Sequence, residues 1–553
     1  MEFGEEDASR QPIVRADGVT PADRYLQKLC ENAFLRLWSY PGVYRDQGKA
    51  GNQGDGKEVC DLLVVFENHI IIFSDKSCVF PDSGDIERDW ARWYRRAVLA
   101  SARQVWGAER WIRDIPKRLF LDRACTRPFP FPLPDPEKAV FHRIVVAHNS
   151  AIRSRRHFGG SGSLMIMPDI IGDQHTLSVA KGGMPFAVGH IDPTRGFVHV
   201  LDDVSMDVLL KTLDTISDFV GYLAKKEALI ASGKLGAATG EEDLLAFYLW
   251  NLNDDREHDF VIPDHVDKIS IDELFWVSFR TSPQRHAQIE ADRVSYMWDA
   301  LIEEFGKNIL GGTLYHGADH DIGYHEPGLR FLAREPRLVR RNLSKALAGV
   351  LERATSSGLA ARVVAPNSAK EPLYVFLSVA NRHGMPDCDF RSARVGILTA
   401  YCKVAKLLHP DADYVLGIGT EPLGCGGRSE DLICIDARGW TDEDFEEARQ
   451  IQNETGILKN TAMTKVREHE FPVVGDTPGG LCLQPTAARR SAATNRALAG
   501  AVRNSKSAAE LDPRKKYFAS TSRMTLPFVV NFHRRVLAGL SVVDKTMGAP
   551  ESH

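Results

Sequence analysis

No run in the 553-residue chain approaches the roughly 18 consecutive apolar residues that a spanning helix requires, so a membrane protein is not expected. The nine cysteines form no C-x-x-C pair, and their number is odd, which excludes a disulfide framework; they read as reduced thiols, mostly packed as small apolar groups. The start, MEFGEEDASRQPIVRADG, has neither a secretory signal nor the Arg-rich look of a transit peptide, and reads as a disordered leader (1–20) of a cytoplasmic protein. Internal repeats, heptads and a G-x-x-x-x-G-K-[ST] loop are also lacking, which removes solenoids, coiled coils and P-loop NTPases from consideration.

Net charge is only −5, so the total makes no case for a polyanionic partner. The distribution is uneven: residues 484–536 hold eleven Lys/Arg against two Asp/Glu, with RR at 489–490 and RKK at 514–516. That stretch suits phosphate contacts, or equally a solvated basic surface paired with acidic groups.

What is present is an ordinary globular composition, 43% hydrophobic and 26% charged, over a length that calls for several domains. Residues 22–38 carry apolar groups at helical spacing after Thr-Pro, and the Gly-, Asn- and Asp-rich stretch 39–57 reads as a loop. Two apolar runs follow in EVCDLLVVFENHIIIFSDKS (58–77), then a long helix over 87–113 that Gly107 is expected to break. Further strands are expected in FHRIVVAH, SLMIMP and the pair FAVGHID/GFVHVLDD, the last as a hairpin about 193–196, then a helix over 206–230 and a linker at ASGKLGAATGEED. Residues 243–360 are mainly helical, 361–483 alternate strands with helices as an α/β domain, and 484–553 form a basic C-terminal segment.

Side chains alternate along a strand, so Asp61 shares a face with Leu63 and Val65, while Ser74 and Lys76 share one with Ile70 and Ile72. Antiparallel pairing brings Asp61, Ser74 and Lys76 together and turns Asp75 away. A carboxylate and an ammonium at a strand end are costly to bury unless they are paired or bind an ion.

Glu31 on a helix, Asp61 opening a strand, Ser74-Asp75-Lys76 closing the next, and Gln104-Val105-Trp106-Gly107-Ala108 on the following helix resemble the PD-(D/E)XK nuclease superfamily over residues 22–120. The resemblance implies a restriction endonuclease-like domain at 21–235, a mixed sheet flanked by helices, acting as a Mg²⁺- or Mn²⁺-dependent endonuclease on DNA or RNA in prokaryotic restriction or antiviral defence. It assigns Asp61, Lys76, Glu31, Gln104 and Ser74 to catalysis, with Asp61, Glu31 and Glu58 as metal ligands. The chain departs from the family at Ser74, where an acid is expected two residues before the lysine. The alternative is an inactive nuclease fold that binds nucleic acid or assembles a complex.

Helix 87–113 also interleaves Arg92, Arg95, Arg96 and Arg103 with Trp90, Trp93, Tyr94, Trp106 and Trp111. The arginines suit phosphate and the rings suit base stacking; otherwise the rings are core and the arginines a solvated face. HGADHDIGYHEPG (316–328) gathers His316, Asp319, His320, Asp321 and His325 but reads as a surface loop, and the Gly-rich stretch at 417–432 with Cys425 as a plain turn. The C-terminal half is expected to sense a trigger, bind nucleic acid or build a homo-oligomer.

Overall fold

The structure, a computed structural model, describes residues 12–46, 56–313, 322–365, 371–381, 384–424, 429–459, 461–466, 469–472 and 517–523. It divides into two units, one of Met1–Ala291, Asp299–Arg337 and Phe471–Leu511, the other of Asp292–Trp298, Leu338–Glu470 and Asp512–His553. Among the described residues no helix is long and apolar enough to cross a membrane.

The first unit opens with α1 (Pro21–Phe34), whose start is set by Pro21 and by a capping box in which Thr20 and Asp23 satisfy each other's backbone N–H groups. Then come β1 (Ser39–Arg45), β2 (Lys57–Phe66), β3 (His69–Ser77), α2 (Ile86–Tyr94), a π-helical turn (Arg95–Leu99) and α3 (Ala100–Asp114). Next are β4 (Val140–His148), α4 (Ala151–Phe158), β5 (Met165–Ile171), β6 (Ala187–His190), β7 (Val198–Leu201), α5 (Asp203–Thr212) and α6 (Ile216–Ala231). The chain continues through β8 (Leu235–Ala238), α7 (Glu241–Trp250), β9 (Ile269–Ile271), α8 (Phe275–Arg280), α9 (Pro283–Asp292), α10 (Tyr296–Gly311) and α11 (Ile322–Arg334).

The main sheet has the order β1-β2-β3-β4-β7. Strands β1 to β3 pair antiparallel, and β4 and β7 join parallel to β3. One face buries Leu63, Val65, Ile70 and Ile72 against Trp93, Val98, Ala102 and Val105 of the α2–α3 helix. Each aliphatic side chain so buried contributes about 1.5–3 kcal/mol, so this contact fixes which face of the sheet the helix covers. On the other face Phe34 of α1 meets Phe73 of β3 and Phe219 of α6. A smaller sheet has the order β6-β5-β8-β9.

In the second unit the described strands are β10 (Leu359–Ala365), β11 (Leu373–Val379), β12 (Tyr414–Thr420), β13 (Glu430–Asp436), β14 (Ala462–Val466) and β15 (Tyr517–Arg523), in the order β13-β12-β11-β10-β15-β14. Helices α12 (Arg337–Ser357), α13 (Asp387–Leu408) and α14 (Asp442–Thr455) accompany them. Among its described residues this unit is therefore of mixed α/β character.

Several expectations are corrected. Residues 39–45, read as loop, form β1: Pro41 and Gly42 look like a turn, yet Tyr40 and Val43 are fully buried. Gly107 does not break the helix; it lies inside α3, and the irregularity is the π turn twelve residues earlier. FAVGHID and GFVHVLDD are not a hairpin, because β6 and β7 belong to different sheets. The helix over 206–230 is two, separated where Thr215 caps α6, and the linker near 235 contains β8. His325 lies in α11, while His316, Asp319, His320, Asp321, Cys425 and, apart from β15, the basic segment fall outside the described residues.

Candidate active site

Register decides which polar groups meet. Leu63 pairs with Ile72 and Val65 with Ile70, so the alternation carries Asp61 and Ser74 onto the face covered by α3. Ser74 is fully buried there, and its hydroxyl donates to Gln104 Oε1 at 3.1 Å. With its carbonyl oxygen so engaged, Gln104 keeps its amide N–H₂ as a donor group.

Glu58 lies just beyond an irregularity of β2. Val43 pairs with Cys60 but Tyr44 with Glu58, so β2 holds one extra residue, Val59. Such a bulge shifts the alternation by one. Glu58 is thereby set opposite Tyr44, two rungs from Asp61 at the same end of the β1–β2 ladder.

The electrostatics agree with this placement. Burial pushes the Asp61 carboxyl up to about 6; the Asp75 N–H and Lys76 pull it down, and the nearby charges of Asp75 and Asp23 add to the rise. Glu58, although solvent-exposed, is pushed up to about 7 by desolvation, then by like charge from Asp61 and Asp23, with Lys76 opposing. Two carboxylates and a lysine thus share one end of the sheet, with Asp23 of α1 as a third acid that no sequence motif marks.

The remaining expected residues lie as follows. Glu31 is committed elsewhere: it binds Arg15 and Gln27 through one oxygen and Arg36 through the other. Burial opposes its charge, but Gln27 and then the guanidiniums outweigh that and hold the carboxyl below its usual range. Asp75 faces away from Asp61 by its side chain, although its backbone N–H donates to Asp61 Oδ2 at 2.6 Å. Arg92, Arg95, Arg96 and Arg103 are all solvent-exposed. Trp90, Trp93, Tyr94 and Trp106 are buried, and the indole N–H groups of Trp90, Trp93 and Trp106 donate to backbone carbonyls. These rings are core and not free to stack on bases, while the arginines form an exposed row.

Among the described residues, no group of three or more His, Cys, Asp or Glu side chains is arranged to hold a metal ion. The donors present are still of the kind that a hard cation uses. Mg²⁺ is commonly held by one or two carboxylates together with water and substrate phosphate, and Asp61 with Glu58 offers such a pair, whose mutual repulsion a cation would relieve. Comparison with protein-family models, curated proteins and solved structures finds no match.

Proposed function

We propose that the chain is a metal-dependent nuclease of PD-(D/E)XK type, hydrolysing phosphodiester bonds of DNA or RNA, with Asp61 and Glu58 as the ligands of Mg²⁺ or Mn²⁺. The observation that carries this reading is that Glu58, just beyond the bulge, lies close enough to Asp61 and Lys76 to feel both charges, and that Asp61 likewise feels Lys76. The order of a helix, a three-stranded antiparallel meander, a helix and a parallel strand is compatible with a restriction endonuclease-like fold. In this reading Glu58 takes the part that an acid at position 74 would have played.

The bound cation would supply charge stabilisation on the phosphoryl oxygens and a more acidic water. Lys76 holds a positive charge beside both carboxylates and can neutralise the developing negative charge on phosphate. Gln104, positioned by Ser74, donates from its amide to substrate or water. The exposed arginines of the α2–α3 helix track the phosphate backbone without reading sequence.

Full-length protein incubated with single- and double-stranded DNA and RNA under Mg²⁺ or Mn²⁺ is expected to cleave at least one substrate. Asp61→Ala, Glu58→Ala and Lys76→Ala should each lower the rate about 100-fold or more. Equal cleavage by wild type and variants, or none by any of them, would reject the proposal. The inactive-fold reading has its own support in the neutral Ser74; no cleavage, with salt-dependent binding of nucleic acid, would favour it.

A further inference from the structure

Asp75 is the one residue of the Ser74-Asp75-Lys76 stretch whose side chain points away from the proposed site, yet it is not idle. Its Oδ1 lies 2.6 Å from His148 Nε2, and His148 Nδ1 lies 2.5 Å from Asp203 Oδ1. His148 ends β4, alongside the end of β3, with Ser77 as its register partner; Asp203 begins α5. The Asp203 side chain also accepts the Asn149 N–H at 2.8 Å, and the His148 carbonyl accepts the Trp93 indole N–H.

A ring nitrogen that faces a carboxylate oxygen must carry a hydrogen to bond it. Both nitrogens of His148 face one, so with Asp75 and Asp203 ionised the ring between them is an imidazolium. Burial opposes that charge, but the hydrogen bonds that the ring donates to Asp203 and then Asp75 outweigh it and push the imidazole up to about 10. The chain of contacts does not stop at Asp75. Its backbone N–H donates to Asp61 Oδ2 at 2.6 Å on the opposite face, so one residue joins the clamp to the proposed metal ligand through the thickness of the sheet.

We infer that His148 is a positioning residue for Asp61: clamped between Asp203 and Asp75, it fixes the end of β3 so that the Asp75 N–H holds the Asp61 carboxylate in one orientation. This rests on Asp61 being a metal ligand, as proposed above. The arrangement is of the kind in which groups behind a ligand set its geometry, and losing them typically costs about 10- to 100-fold in metal affinity or activity.

The test uses the full-length protein with Mn²⁺ as the probe. Mn²⁺ affinity is measured by electron paramagnetic resonance, and the turnover of whichever nucleic acid is cleaved is split into kcat and KM. His148→Gln should weaken Mn²⁺ binding by about 10-fold or more and lower kcat in step, leaving KM for nucleic acid within about threefold. Asp203→Asn, which keeps an acceptor oxygen but removes a charge, should shift the same quantities the same way by less, and it decides the question if His148→Gln does not fold. His148→Arg, restoring a cation with donors for both carboxylates, should recover part of the loss. A separate reading needs no metal: the ¹⁵N spectrum of histidine-labelled wild type at pH 8 should show both His148 nitrogens protonated.

If wild type binds Mn²⁺ at a site that Asp61→Ala removes, yet folded His148→Gln and Asp203→Asn bind it within twofold of wild type, the positioning role is overturned while the site stands. If wild type binds no Mn²⁺ that depends on Asp61, the nuclease reading fails and the inference falls with it. A neutral His148 at pH 8 overturns the clamp itself.

Discussion

Asp61→Asn should stabilise the metal-free protein, and only above a defined pH. The Asp61 carboxyl titrates near 6 in the native state instead of at 3.8, chiefly because burial penalises its charge, with only partial relief from the Asp75 N–H and Lys76. Below pH about 4 the group is protonated in both folded and unfolded chains and has no effect on the balance. Between about 4 and 6 the unfolded chain releases its proton first, so the native state binds more protons and its stability falls as pH rises. Above about 6 the full penalty is present. The rise from 3.8 to about 6 makes it about 3 kcal/mol. Asparagine resembles the protonated acid and escapes that penalty. Urea unfolding followed by tryptophan fluorescence should therefore show the variant more stable than wild type by up to about 3 kcal/mol at pH 8 and indistinguishable at pH 4. Added Mn²⁺ should raise the wild-type midpoint and leave that of the variant where it was, closing the gap. A variant less stable than wild type at pH 8, or equally stabilised at both pH values, would refute the claim that Asp61 carries an unrelieved charge.

Elsewhere in the first unit, Lys226 and Glu241 form a fully buried ion pair, with the Tyr222 hydroxyl donating to the same carboxylate. Lys226→Met alone should cost about 3–5 kcal/mol in urea unfolding, and adding Glu241→Gln should restore much of that loss. Ile72→Ala, in the layer between sheet and α3, should cost about 2–5 kcal/mol. For the arginine row, replacing Arg96 and Arg103 by Ala should reduce the slope of log affinity against log salt by about 1 for each phosphate that is no longer neutralised, measured by fluorescence anisotropy on duplex DNA; an unchanged slope would place these arginines off the nucleic-acid path.

The two strands of the opening motif were legible because alternation and a short turn leave one way to pair them. Leu63, Val65, Ile70 and Ile72 had to face one side, and Ser74 went with them while Asp75 did not. The α/β character of the second unit was legible because short apolar runs there flank the long helical pattern of α13. Strand β1 was hidden by its Pro-Gly pair, whose local turn chemistry outweighs two buried side chains in any short window. The supposed hairpin failed because nearness in sequence does not choose a partner: β6 and β7 each found a different sheet. Glu31 has the chemistry of a ligand, and the sequence does not show that Arg15, sixteen residues away, bonds it in the fold. His148 and Asp203 carry no local signature, and Asp23 shows only that of a helix cap, since their significance here comes from what folding sets beside them.

The bulge at Val59 bears on how such a site can vary between chains. Counted along the backbone, Glu58 and Asp61 are three apart; counted by rungs of the β1–β2 ladder they are two apart, with only Cys60 between them once Val59 is set aside as the surplus residue. A chain that lost Val59 would regain regular pairing and keep Glu58 opposite Tyr44, so the carboxylates would stay together across a change in length that elsewhere in a strand reverses every side chain. Glu-x-x-Asp and Glu-x-Asp are two spellings of one arrangement here. Recognising relatives of this chain therefore means allowing a one-residue gap at that point.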